Sequence, residues 1–386
     1  MADDSHPKKK KSKKSRRIGA ALSIVVTAAL AYVTITLASG NEITALTRIR
    51  EVFSNREPIP AADTLYFDVG KKRVFADMDG GIAAAGTLGI QVLDDSGAET
   101  LIEPFRMESP AISSAGGRAV AYDIGGTEVR VFNETEVIAA LQTQGAIVSA
   151  SINQNGWFCV SEMPETGGHR SVVTVYDNRG RGAYRAYSGE GYVLSAVLSS
   201  DNRSVAALRL TDAGSEIVFY SLNREDPVGL YELSGGLIFD IRYIGGGNVL
   251  AFSAGGLTVV DRNAEGTERY GFEGKRLGSC SADGGFITLH LLDYAVGHSG
   301  RLVTLDERGN VLGELEVQRE VVSISAKDGR LAVLWGDGLT VYDSELKEIP
   351  VTGEFTALTG LGRVLARSGG MILAAGDNAA VTFRTD

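Results

Sequence analysis

From Lys71 onward the chain alternates short apolar runs with polar, glycine-containing turns, and the alternation itself repeats. Each copy reads as a short first strand, a polar turn, a second apolar strand, a loop, a third strand ending near Asp or a polar substitute, and usually a fourth strand. Aligned on their first strands, the copies begin at Val74, Ala111, Ser149, Ser195, Asp240, Ser279, Ser323 and Ala357. A period of roughly 35–45 residues with four strands per unit predicts β-propeller blades. One four-stranded sheet cannot cover both of its faces, and radial stacking of blades buries them against each other. The second strands fit this geometry. RAVAYDI, SVAALRL, NVLAFSA and RLAVLW are apolar on both faces, as a sheet between two neighbours requires. The expected fold is all-β, a β-propeller of eight four-stranded blades with seven as the runner-up. Two stretches compete to complete the last blade: Leu65–Val69 (LYFDV) as an added strand, or Ala380–Arg384 (AVTFR).

The first 62 residues follow a different pattern. Ile18–Leu37 is 20 residues without a charge, about 30 Å as a helix, which matches a bilayer core. KKKKSKKSRR precedes it directly, so the N-terminus is expected in the cytoplasm and everything from about residue 40 outside. A cleaved signal peptide, cut at Ala38-Ser39-Gly40, is the alternative, but 20 apolar residues are long for a signal segment. Asn41–Glu57 keeps helical spacing, with Ile43, Leu46, Ile49, Val52 and Phe53 leaning to one side, until Pro58 and Pro60 end it. The expected organisation is a basic tail (1–17), a transmembrane helix (18–37), a juxtamembrane helix and linker (38–62) and the propeller (63–386). The expected location is the cell membrane, single-pass, with the C-terminal domain extracytoplasmic.

Charge sharpens this picture. The tail takes eight of the 38 basic residues and two of the 48 acidic ones, leaving the body strongly acidic at a net charge of about −16. Such a body repels nucleic acid, and no nucleic-acid partner is expected. Cys159 and Cys280 sit in separate repeats and strand-like contexts, and read as buried thiols, not as a disulfide.

Chemistry is sparse. The stretch LDERGN around Asp306 has siblings in the same slot, LDDSGAE, YDNRGRG, VDRNAEG and YDSELKE. A calcium loop needs oxygen ligands at alternate positions and a closing carboxylate, which this register lacks. The stretch reads as a turn in which Asp accepts backbone N–H bonds and Gly supplies positive φ. No G-x-S-x-G, P-loop or HExxH motif is present, and His169, His290 and His298 have no metal-ligand spacing. His290, in FITLHLL, is expected as a hydrogen-bonded core residue. The Trp-Asp and Gly-His marks of WD40 repeats and the tryptophan-docking repeats of quinoprotein dehydrogenases are also missing. No catalytic residue, metal or cofactor is expected.

Taken over its full length, the layout of basic tail, one transmembrane helix and propeller resembles a group of bacterial membrane-anchored proteins of unknown function. They carry an extracellular propeller-like domain, and the resemblance implies fold and location without an activity. Three loops between second and third strands read as longer than the tight WGDG turn (Trp335–Gly338): Glu162–Arg170, Leu210–Glu216 and Leu292–Arg301. Function concentrates on such loops. The candidate binding residues are Glu162, Glu165, His169, Arg170, Asp212, Glu216, Asp293, Tyr294, His298 and Arg301. The leading expectation is an extracytoplasmic scaffold or sensor that binds a protein or a cell-wall polymer without catalysis. The rival is a cell-surface enzyme acting on carbohydrate or peptide, with its site at the channel mouth.

Overall fold

The computed structural model describes residues 64–233, 236–244, 247–283, 286–294, 297–352, 361–376 and 379–385. The expected tail, membrane span and juxtamembrane helix lie outside the described residues. No helix among the described residues is long and apolar enough to cross a membrane.

Eight antiparallel sheets form the blades of a propeller, so the count of eight holds and seven does not. Within blades one to seven the strands are ordered as they occur in the chain. Blade three shows the pattern: Gly145–Ile152 innermost, then Phe158–Pro164, Ser171–Tyr176 and Gly182–Ser188 outermost. Both faces of each sheet must be covered, and eight separate apolar clusters do this, one at each seam between neighbouring blades. Second strands are buried on both sides, and Gly81–Ala85 and Val249–Ser253 have no exposed position. Inner strands converge, so they carry small residues. Their serines bond across the seams: Ser281 Oγ accepts from Ala326 N at 2.9 Å, and Ser325 Oγ from Ala366 N at 2.9 Å.

Ring closure uses both candidate stretches. Ala379–Thr385 is the third strand of blade eight, and the N-terminal Thr64–Tyr66 pairs with it as the fourth. The first strand described in this blade is Arg363–Ala366; the start expected at Ala357 lies outside the described residues. Arg367 follows it and latches blade eight to blade one. Its Nε meets Asp77 Oδ1 at 3.0 Å, and its Nη2 donates to the Gly81 carbonyl at 2.7 Å and meets Asp95 at 2.8 Å.

The DERGN stretch is a turn. Asp306 Oδ1 accepts the N–H groups of Arg308 and Asn310 at 2.9 and 2.8 Å. Asp94, Asp177, Asp261 and Asp343 each accept from the residues two and four places on, at 2.8 to 3.0 Å. The residue three places on has positive φ in all five, filled by Gly97, Gly180 and Gly309 but also by Ala264 and Leu346. These turns are on separate blades and share no ligand set.

Candidate functional site

First strands run from the face carrying the second-to-third loops to the face carrying the Asp turns. The first of these is here called the upper face. Five of them share a feature that strand periodicity hides. In blades three to seven an extra residue interrupts the pairing with the second strand near the upper end: Val148, Leu194, Phe239, Gly278 and Val322. A bulge leaves one residue unpaired and re-aims its side chain. Leu194, Phe239 and Val322 are accordingly exposed, among strands whose neighbouring positions are buried or half-buried. Together they make an apolar collar at the upper mouth of the channel.

More apolar side chains surround the collar. Tyr192 and Leu237 stand at the upper ends of the blade-four and blade-five first strands, Met163 and Tyr187 at the upper ends of blade-three strands, and all four are exposed. Among the described residues the remaining exposed large hydrophobics are Leu88, Ile124 and Tyr294 in upper loops and Tyr66, Ile102, Val228, Leu230, Val311 and Leu312 in the outermost strands. Among the described residues the turns of the opposite face expose none. Exposed apolar side chains gathered on one face mark an interaction site more often than scattered single residues do.

The sequence candidates divide into two groups. Glu165, His169 and Arg170 lie in the exposed blade-three loop, and His169 and Arg170 join the patch. The His169 ring lies tilted against Tyr187 with 4.8 Å between centroids, and the Arg170 guanidinium sits over Tyr192 at 5.6 Å. Tyr294 and His298 are exposed in the blade-six loop, and Asp212 is exposed in blade four. The other four are held by the scaffold. Glu162 is buried, and its Oε2 accepts the N–H groups of Gln144 and Gly145 at 2.9 and 3.1 Å, fixing the link from blade two to blade three. Glu216 pairs with Arg209 at 2.6 Å. Asp293 takes Lys275 and Ser299, which hold its carboxyl below the usual carboxylate range. Arg301 spans Glu314 and Glu316 at 2.9 and 2.7 Å. The expected Leu210–Glu216 loop is also shorter than it reads. Thr211 pairs with Gly214, so only Asp212 and Ala213 turn the chain between two long strands. Gly214, at φ 140°, permits this tight reversal.

Carboxylates do converge on the channel, at its other end. Asp77, Asp283 and Lys327 end the first strands of blades one, six and seven, beside Arg367. Lys327 Nζ lies 3.4 Å from Asp283 and 4.0 Å from Asp77. Burial raises the Asp77 carboxyl above its ordinary value, against the pull of the Arg367 guanidinium. Alternating charges of this kind neutralise one another across seams, which is the arrangement of a structural ion chain. Among the described residues no group of three His, Cys, Asp or Glu side chains is placed to hold a metal.

One polar pair stands apart. Ser279 follows the Gly278 bulge and faces His290 across the strand pair. Ser279 Oγ and His290 Nε2 are both buried and have no hydrogen-bond partner among the described residues. The expected hydrogen-bonded core histidine is therefore a core histidine with a free ring nitrogen, its pKa lowered by burial. Both line a cavity of about 260 Å³ between blades six and seven, with Gly278, Leu292, His298, Arg319, Glu320, Val321 and Val322. A nucleophilic Ser–His pair needs a mutual hydrogen bond, and these two atoms make none.

Solved structures confirm the fold and carry no more than that. BamB from Moraxella catarrhalis superposes with a TM-score of 0.54 at 14% identity, over 83% of this chain and 96% of that one. The C-terminal WD40 domain of Sif2 gives 0.59 at 13% identity, over 84% and 97%. The Swd1 propeller of Myceliophteria thermophila gives 0.52 at 9% identity, over 84% and 98%. Comparison with curated proteins gives no match. A family model does match residues 63–349, most of the propeller. The chain belongs to the DUF5711 family, a family of unknown function.

Proposed function

We propose that this chain is a binding scaffold held at the cell membrane by Ile18–Leu37, with its propeller outside and its upper face turned to a protein partner. The observation that carries the reading is the collar. Five successive blades spend a bulge at the same place, three of them to expose Leu194, Phe239 and Val322, on a molecule whose exposed apolar loops share that face. An apolar collar favours a protein segment over a polyhydroxylated wall polymer, because apolar area is what it offers to bury. The rim beside the collar carries exposed Glu165, Glu190, Asp212 and Glu232 against one exposed guanidinium, Arg170, and is acidic on balance. Charge complementarity therefore asks for an apolar segment flanked by Lys or Arg. The fold's frequent use as a scaffold agrees with this reading.

The test is crosslinking capture from native membranes with the full-length protein and with the double variant Leu194→Ser, Phe239→Ser. Loss of a captured protein from the variant, with blade stability unchanged, is the expected result. Equal capture by both sinks the collar. Capture of wall polymer in place of protein sinks the choice of partner.

A further inference from the structure

Two positions of the first strands, two residues apart, recur through blades three to seven: Ser149 and Ser151, Ser195 and Val197, Asp240 and Arg242, Ser279 and Ser281, Ser323 and Ser325. Blades three, six and seven keep serine at both, and the second serine bonds the next blade. Ser151 Oγ donates to the Ala196 carbonyl at 2.7 Å, and Ser281 and Ser325 accept from Ala326 N and Ala366 N at 2.9 Å. Blade five alone among these carries charge. Arg242 reaches the equivalent slot on blade six, the Ala282 carbonyl, at 3.4 Å, a longer bond than the serines make. Its Nε also meets Asp240 Oδ2 at 3.2 Å, yet the two side chains remain 43% and 34% exposed. A pair so open to water adds little to stability. Serine serves the seam better, so the fold leaves the charged pair unexplained.

The pair lines a cavity of about 640 Å³ in the channel, bounded by the first strands of blades two to five and reaching the lower turns at Gln154 and Ser200. That volume lies within the range of small-molecule sites, roughly 300–1,000 Å³. Arg242 Nη2 makes no hydrogen bond among the described residues, and neither do the half-buried Ser113 and Ser195 hydroxyls in the same wall. Ile112, Val197 and Ile244, also half-buried, add apolar area. Asp240 balances Arg242. The charges that end the first strands of blades one, six, seven and eight, Asp77 and Asp283 with Lys327 and Arg367, balance as well. The cavity therefore offers accessible donors and acceptors beside apolar area, with no net charge.

We propose that this cavity binds a small neutral saccharide, with adjacent ring hydroxyls on the Asp240–Arg242 pair. A sugar hydroxyl both donates and accepts, so one donates to Asp240 while its neighbour accepts from Arg242, and Ser113 and Ser195 take either role. Hydrogen bonds to ionised groups are the strong ones, which gives the charged pair a use that a serine pair would not supply. The C–H faces of the ring lie against Ile112 and Val197. A charged sugar would leave an uncompensated charge in a balanced wall. The site occupies the opposite half of the channel from the collar and does not rest on the scaffold reading.

The experiment is saturation-transfer NMR on the full-length protein in lipid nanodiscs. The probes are glucose, N-acetylglucosamine and trehalose, with glucuronate as the charged analogue and cyclohexanol as the apolar one. The expected result is saturable binding of at least one neutral sugar, with glucuronate and cyclohexanol weaker by about tenfold. Asp240→Ser with Arg242→Ser gives blade five the pair that blades three, six and seven already carry. It should weaken the sugar by about tenfold or more, the worth of a hydrogen bond to a charged group. Ser113→Ala removes one atom on blade two and should weaken it by about threefold, so it decides the matter if the double variant does not fold. No saturable binding of any of the three neutral sugars, binding of glucuronate or cyclohexanol as tight as theirs, or indifference to the serine pair overturns the proposal. Indifference to Ser113→Ala, where the serine pair fails to fold, overturns it too.

Discussion

At the scale of single residues the Asp turns show how little chemistry a repeated acidic motif needs to carry. Asp306 spends one oxygen on two backbone N–H groups and the other on the Asn310 side chain. Burial pushes its carboxyl up, but the Asn310 and Arg308 donors outweigh this and leave it low. Asp94 is also low, held chiefly by the Ser96 hydroxyl and the Ala98 N–H. Asp177 is low as well, with burial opposing and the Arg181 and Arg179 donors prevailing. A carboxylate whose folded pKa lies below its unfolded value stabilises the fold above the unfolded value, near 4. That contribution fades as pH falls through the folded pKa. Denaturant midpoints should therefore drop on acidification below pH 4. Asn133 fills the same slot in blade two, accepting from Thr135 N and Glu136 N. Asp306→Asn should accordingly keep most of the neutral-pH stability and reduce the acid loss, whereas Asp306→Ala should cost about 1–2 kcal/mol. Acid and neutral denaturation curves of the two variants decide this.

Elements set which apolar residues matter for folding and which for binding. Blade five holds both kinds a few residues apart. Phe252 is fully buried in the second strand, and Phe239 is the exposed bulge of the first. Phe252→Ala should cost about 3–5 kcal/mol, whereas Phe239→Ser should fall within about 0.5 kcal/mol of the parent. Comparable losses from both would mean that the collar is part of the core. The sequence did not mark this difference, because a bulge breaks the alternation of period two. Reading alternation placed the first strands of blades three to seven at Ser149, Ser195, Asp240, Ser279 and Ser323, each just after the bulge. The strands begin earlier, at Gly145, Tyr192, Ile238, Arg276 and Val321. The usable signal was the residue before the repeated Ser or Asp, apolar in four copies and Gly in one.

Over the whole molecule, stability depends on closing the ring, since each blade covers its neighbour and an open seam leaves two sheet faces bare. The closing seam has an apolar cluster, with Leu65, Ile82 and Leu373, and the Arg367 latch beside it. Arg367 is 3% exposed, so removing it strands Asp77 in a buried site. Arg367→Ala should cost about 3–5 kcal/mol, and adding Asp77→Asn should recover part of that loss. Unfolding of the two variants side by side measures the coupling. A loss no larger than for a surface residue, or no recovery in the double variant, would show that the N-terminal strand and the apolar seam close the ring alone.

The sequence by itself determined the eight-bladed propeller, the double-faced burial of its second strands and the turn character of the Asp stretches. These follow from local periodicity and turn chemistry, repeated often enough to be read. Only the tertiary structure decided the rest. It showed that Glu162, Glu216, Asp293 and Arg301 are committed to the scaffold, because their partners are other strands or loops of the fold. It aligned one bulge from each of five blades around a single mouth, and gathered the first strands of four blades around one cavity. The residues of a propeller's channel are a blade apart in the chain and meet only when the ring closes, so no local pattern could announce them.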